Sequence, residues 1–173
     1  MRTGLLLVGW YALAVGAGSA AGAQDAQVAG RVRDAIASYV HFTIFDDVAV
    51  IVETGVVRLD GRVTMPFKRD AIEKRVRAVE GVREIANGIE VLPLLGTDIE
   101  LRRSIASAIY GHPAFWPYAS MARPPIHIVV ERGHVRLTGV VSSRVERQLA
   151  FALAQVPGAF GVKNEITVER TDG

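Results

Sequence analysis

The chain has 173 residues, half of them apolar and 22% charged, with a net charge of +2. That balance is ordinary for a folded globular protein and excludes a disordered acidic or basic tail; the whole chain carries no strong pull toward nucleic acid. Cysteine is absent, which excludes disulfides, thiolate metal sites, a thiol nucleophile and the amino-terminal lipid of a lipoprotein.

The opening "MRTGLLLVGWYALAVGAGSAAGAQDAQ" has one arginine, an apolar run over residues 5–15, and small residues ending in Ala21-Gly22-Ala23. These are the charged start, apolar centre and A-x-A site of a secretory signal peptide over residues 1–23, cleaved after about Ala23. The competing reading is a retained anchor, because residues 4–23 carry no charge over about the span of a bilayer core. The Gly, Ala and Ser of its second half partition weakly into hydrocarbon, which favours cleavage and a periplasmic product.

Beyond that segment the chain says one thing twice. "ETGVVRLDGRV" at 53–63 returns as "ERGHVRLTGVV" at 131–141, 78 positions later. "RDAIASYV" (33–40) echoes "RRSIASAIY" (102–110), and "VEGVREIANGIEV" (79–91) echoes "VPGAFGVKNEITV" (156–168). Three matched blocks at a long period mean tandem copies of one unit, over residues 27–95 and 97–170.

Each copy reads in the same order. A helix comes first; in copy two a capping box at Thr97 and Glu100 opens it, and Gly111 and Pro113 close it. Two alternating strands follow, joined by the two-residue loops Thr54-Gly55 and Arg132-Gly133, where glycine accepts positive φ. A second helix carries the stripe Ile72, Val76, Val79 in copy one and Leu149, Leu153, Val156 in copy two, the latter opened by a capping box at Ser143 and Glu146. Gly81 and Pro157-Gly158 end these helices before a last strand. The fold class is α+β: two small αββαβ units, each a three-stranded mixed sheet with both helices on one face. The first two strands run antiparallel and the third returns parallel through a right-handed crossover. Val57, Leu59 and Val63, with Val135, Leu137 and Val141, point under the helices; Gly61 and Gly139 share that face, where a missing side chain lets a helix sit close.

The hairpins "GVVRLDGRV" and "GHVRLTGVV", each followed by a helix and then "GVREIANGIEV" or "GAFGVKNEITV", resemble the BON domain (bacterial osmotic-stress and nodulation) over nearly the whole mature chain, twice. The resemblance implies a non-catalytic module of the cell envelope. It would bind an anionic phospholipid surface or an envelope protein, support osmotic or membrane-stress integrity, and use no cofactor, small-molecule substrate or nucleic acid.

The residues themselves offer little chemistry. His127 and His134 lie on the helix-free face but about 13 Å apart at ~3.3 Å per strand residue, too far to share a zinc ion. Glu131 beside His134 has only Thr138 near as a hydroxyl and no oxyanion cradle. "FKRDAIEKRVR" reads as a solvated helix face with Asp70–Lys74 and Glu73–Arg77 pairs.

The stretch "GHPAFWPYASMARPPIH" (111–127), longer than its counterpart in copy one, stands apart. Under one reading proline stiffens a long connection while Phe115 and Tyr118 plug the core edge. Under the other, Phe115, Trp116, Tyr118, Met121 and Arg123, with Arg102 and Arg103 of the preceding helix, form a contact surface for lipid or partner. A second candidate is the helix-free sheet face, where Ile51 and Val129 stand among Arg58, Arg62, His134 and Arg136 and invite a protein partner or the other copy.

Overall fold

The computed structural model describes residues 17–169. The apolar run of the expected signal peptide lies outside them. Copy one comprises α1 (Ala17–Ala37), β1 (Asp47–Glu53), β2 (Val56–Val63), α2 (Pro66–Arg77) and β3 (Glu84–Val91). Copy two comprises α3 (Gly96–Tyr110), a 3₁₀ turn (Pro113–Phe115), α4 (Trp116–Ala119), β4 (Ile126–Glu131), β5 (His134–Val141), α5 (Arg144–Leu153), β6 (Gly161–Asn164) and β7 (Thr167–Val168). α1 runs unbroken through Ala21-Gly22-Ala23, and from Ala21 onward its first buried side chain is Val28. No helix among the described residues is long and apolar enough to cross a membrane.

Both sheets follow the expected order. β1 pairs antiparallel with β2, and β2 parallel with β3; β4, β5 and β6 repeat this, with β7 continuing the parallel pairing on β5. Val57, Leu59, Val63, Leu137 and Val141 are buried, as is Val135, each contributing roughly 1.5–3 kcal/mol on removal from water. They pack under α1 and α2 in one core and under α3 and α5 in the other.

Three local readings need correction. Thr97 is not a cap: α3 starts at Gly96 behind Leu95, which makes no side-chain cap bond. Gly61 and Gly139 do lie on the buried face, but what a side chain would meet first there is strand backbone and not a helix. A Cβ at Gly61 would strike the carbonyl of Asp47, and one at Gly139 the carbonyl of Pro125, so the glycines admit the neighbouring strand's own backbone. The second helices end at Arg77 and Leu153, several residues before Gly81 and Gly158, which close the following turns at φ +91° and +95°. The box at Ser143 forms: Ser143 Oγ accepts from the Glu146 N–H at 3.1 Å, while Glu146 reaches back to the Ser142 N–H at 3.0 Å.

A pair of acids unites the copies more tightly than any quoted phrase. Asp25 Oδ2 and Oδ1 accept from the N–H groups of Thr54 and Gly55 at 2.7 and 3.1 Å. Asp98 does the same for Arg132 and Gly133 at 2.7 and 2.9 Å. Each carboxylate on the first helix therefore clamps the hairpin turn of its own copy. With Asp25 set on Asp98, the buried triplet Val28, Val32, Ile36 falls on Leu101, Ile105, Ile109. The echo of "RDAIAS" with "RRSIAS" instead sets Ile36 on Ile105, four residues out of structural register. A shift of one helical turn preserves an apolar stripe, so periodicity cannot detect it.

Candidate interaction surface

The aromatic insert divides between core and surface. Phe115 is fully buried in the copy-two core, where its ring lies 6.1 Å from that of Tyr118. Tyr118 is half-buried; its hydroxyl donates to Glu146 Oε2 at 2.8 Å and accepts from the Ser142 N–H at 2.9 Å, tying the insert to the start of α5. Burial would raise the Glu146 carboxyl, but the bonds from Ser142, Tyr118 and Ser143 outweigh it and hold it below its usual value. His112 caps the 3₁₀ turn: its Nδ1 accepts from the Ala114 N–H at 3.2 Å. Tyr110 satisfies both backbone groups of Ile126, donating to its carbonyl at 2.6 Å and accepting from its N–H at 3.1 Å.

Trp116 is the exception. Its side chain is 60% exposed, although its indole N–H is held by the Gly111 carbonyl at 3.2 Å. Met121 and the side chains of Arg103 and Arg123 are exposed as well. Arg102 is not. Only 5% of it is accessible, and its guanidinium donates to the Val130 carbonyl at 2.7 Å. Burial lowers its pKa, against the opposing fields of Asp98 and Asp46. Phe115 and Arg102 therefore leave the expected contact set, and Tyr118 is committed to an internal network. Trp116, Met121, Arg103 and Arg123 remain.

The helix-free faces approach each other across two ion pairs, with a cleft left between them. Arg62 of copy one bonds Glu131 of copy two at 3.2 Å, and Arg136 of copy two bonds Asp47 of copy one at 3.2 Å. Val129 is buried, lining a cleft shared with Ala49 and Arg62. Ile51 stays half exposed. The outer edge of β4 is also closed: Ile44 accepts from the Ile128 N–H at 2.6 Å, between the bonds that Tyr110 and Arg102 make to Ile126 and Val130. His127 Nδ1 lies 2.6 Å from the Asp46 carbonyl and so carries the proton of that bond, and the Phe42 ring lies tilted against its ring at 5.6 Å. Phe45 packs into the copy-two core. The copies thus form a joined pair.

A buried ion pair lies behind this seam. Asp46 is fully buried and Lys68, read from the sequence as part of a solvated face, is 5% exposed; they meet at 2.6 Å. Lys68 Nζ also donates to Thr64 Oγ1 at 2.6 Å. On the outer side of the same helix Glu73 and Arg77 pair at 2.7 Å as expected, whereas Asp70–Lys74 is not among the ion pairs of the described residues. Among those residues, no group of three or more His, Asp or Glu is placed to hold a metal ion.

The family model of the BON domain matches residues 24–93 and again 101–170. The chain belongs to the BON domain family. The two BON copies are tandem, as the repeat implied, and BON domains are binding modules, not catalysts. Comparison with the curated proteins yields no match. Among solved structures, the chain is similar to the C-terminal domain of CdsD, the structural protein of the type III secretion system of Chlamydia trachomatis. Identity is 13%, coverage 84% of this chain and 67% of that one, and the TM-score 0.34. A second CdsD structure gives 12%, 86% and 65%, with a TM-score of 0.33. The chain spans less than two thirds of that second chain, and a likeness at this level carries no functional argument.

Proposed function

We propose that this BON protein is an exported, periplasmic, non-catalytic binding protein that docks on anionic phospholipid surfaces of the envelope through copy two. The observation that carries this reading is Trp116, an indole standing in solvent on a rigid mount. Buried Phe115 precedes it, Pro117 follows it, and the Gly111 carbonyl fixes its N–H. Tryptophan at such a position suits the headgroup layer, where an apolar ring and a polar edge are both accommodated. Met121, also exposed in the insert, adds apolar area, and Arg103 and Arg123 supply charge for lipid phosphates, each worth about 1 kcal/mol near an anionic surface.

The test is co-sedimentation with phosphatidylglycerol vesicles at low salt. The protein should pellet with anionic vesicles, release as ionic strength rises, and lose binding in Trp116→Ala and in Arg103→Glu/Arg123→Glu. Failure to pellet, or pelleting unchanged in both variants, would overturn the reading. The rival role, a protein adaptor, is left with exposed Ile51 and the outer edge of β3, which pairs only with β2 among the described residues. A stoichiometric partner retained in detergent, with no vesicle binding, would favour it.

A further inference from the structure

The joining of the two copies creates a groove that neither has alone. Its volume is about 480 Å³, within the ~300–1,000 Å³ usual for small-molecule sites. Copy one and the inter-copy connection supply exposed apolar side chains: Val40 at the end of α1, Met65 and Phe67 at the start of α2, and Leu94. Val40 and Leu94 are 80% and 70% exposed, an unusual cluster for solvent-facing positions within one concavity. Copy two supplies α3, which brings Arg102 and Arg103 to the wall.

The charged side chains in this groove have one sign. Lys68, Arg102 and Arg103 line it, and no Asp or Glu does. Asp46, buried behind the wall, balances Lys68 at 2.6 Å. Arg102 spends one nitrogen on the Val130 carbonyl, while its Nε is buried with no hydrogen-bond partner. A buried donor left unmet costs about 1–3 kcal/mol, so an anion that draws this guanidinium toward it recovers a bond the protein does not make. Arg103, exposed beside it, appears in no ion pair among the described residues.

We infer that the inter-copy groove is a binding site for a single anionic amphiphile, its carboxylate or phosphate at Arg102 and Arg103 and its alkyl chain over Phe67, Met65, Leu94 and Val40. The site shares Arg103 with the proposed vesicle-docking surface but not Trp116, so Trp116 and Leu94, one in each, tell the two apart. The site depends on the joining of the copies: separating them separates the two arginines from the apolar wall.

Isothermal titration of the full chain with dodecanoate and with dodecyl phosphate, both below their micelle concentrations, tests the assignment. One equivalent of at least one of them should bind, and dodecyltrimethylammonium should not. Leu94→Glu and Arg103→Glu, both at exposed positions, should each weaken binding by about tenfold or more, near 1.4 kcal/mol, with unchanged circular dichroism. Trp116→Ala should bind normally, which separates this site from vesicle docking. Absence of binding by both anions, equal binding of the cationic amphiphile, or indifference to both groove variants would overturn the inference. Preference for dodecanoate over dodecyl phosphate, or the reverse, identifies the headgroup.

Discussion

Asp46→Ala is the sharpest probe of the buried polar network that anchors copy one behind the seam. The two carboxylate oxygens accept five hydrogen bonds: from the N–H and hydroxyl of Thr43 at 2.8 Å each, from those of Thr64 at 2.7 and 2.8 Å, and from Lys68 Nζ at 2.6 Å. Alanine strands the Lys68 ammonium in a dry site with only Thr64 Oγ1 as acceptor. Removing one partner of a buried ion pair costs about 3–5 kcal/mol. The threonine donors add to this only partly, since Thr43 is exposed and Thr64 half-exposed and water can reach them. The expected loss is therefore about 4 kcal/mol, read from urea unfolding at neutral pH. Lys68→Met should cost less, about 1–2 kcal/mol, because Asp46 keeps four donors. The double variant should be more stable than Asp46→Ala alone, since no orphan charge remains. A loss under about 1 kcal/mol for Asp46→Ala, or strictly additive losses in the double variant, would refute the reasoning.

The same carboxylate makes a pH prediction. Burial by itself would raise the Asp46 pKa, but Lys68 and the N–H groups of Thr64 and Thr43 outweigh it, so the folded value lies below the ordinary one. A group held low in the folded state contributes stability that is fully present above its unfolded pKa, about 3.9, and lost as pH falls through the folded value. The native protein should thus lose stability in acid below about pH 4. Asp46→Ala should show a shallower acid slope than the native chain.

Two further outcomes follow from the repeated turn and strand geometry. Asp98→Ala removes both acceptors of the Arg132 and Gly133 N–H groups and should cost about 2 kcal/mol; amide exchange at those two positions should accelerate first, and slow exchange there would count against the clamp. Gly139→Ala forces a Cβ against the Pro125 carbonyl at a φ of +114° and should destabilise the fold by at least the ~1–3 kcal/mol of backbone strain, read as a lower melting temperature. A neutral substitution would mean that β4 and β5 can part locally without loss.

Some of this protein is legible residue by residue. Alternation of Val57, Leu59 and Val63 with polar neighbours determines which sheet face is buried, because a strand's side chains alternate strictly. The Thr54-Gly55 and Arg132-Gly133 loops determine the hairpin register, both residues of each taking positive φ. Recurrence of these features dictates two αββαβ units. Other features depend on distances that no local pattern encodes. A helix stripe looks the same after a shift of four residues, so only the Asp25 and Asp98 clamps set the true correspondence between copies. Arg102 and Arg103 are chemically alike and adjacent, yet one is buried on the Val130 carbonyl and the other stands in solvent, because α3 packs on β4 along a single side. Lys68 reads as one more surface cation until Asp46, 22 positions earlier, is brought beneath it. The insert's aromatics likewise sort into plug and surface only when α5 and the copy-two core are in place. Short-range periodicity and turn chemistry settle the units; the surface they present is decided by how the two units pack, because burial is a property of the assembled pair.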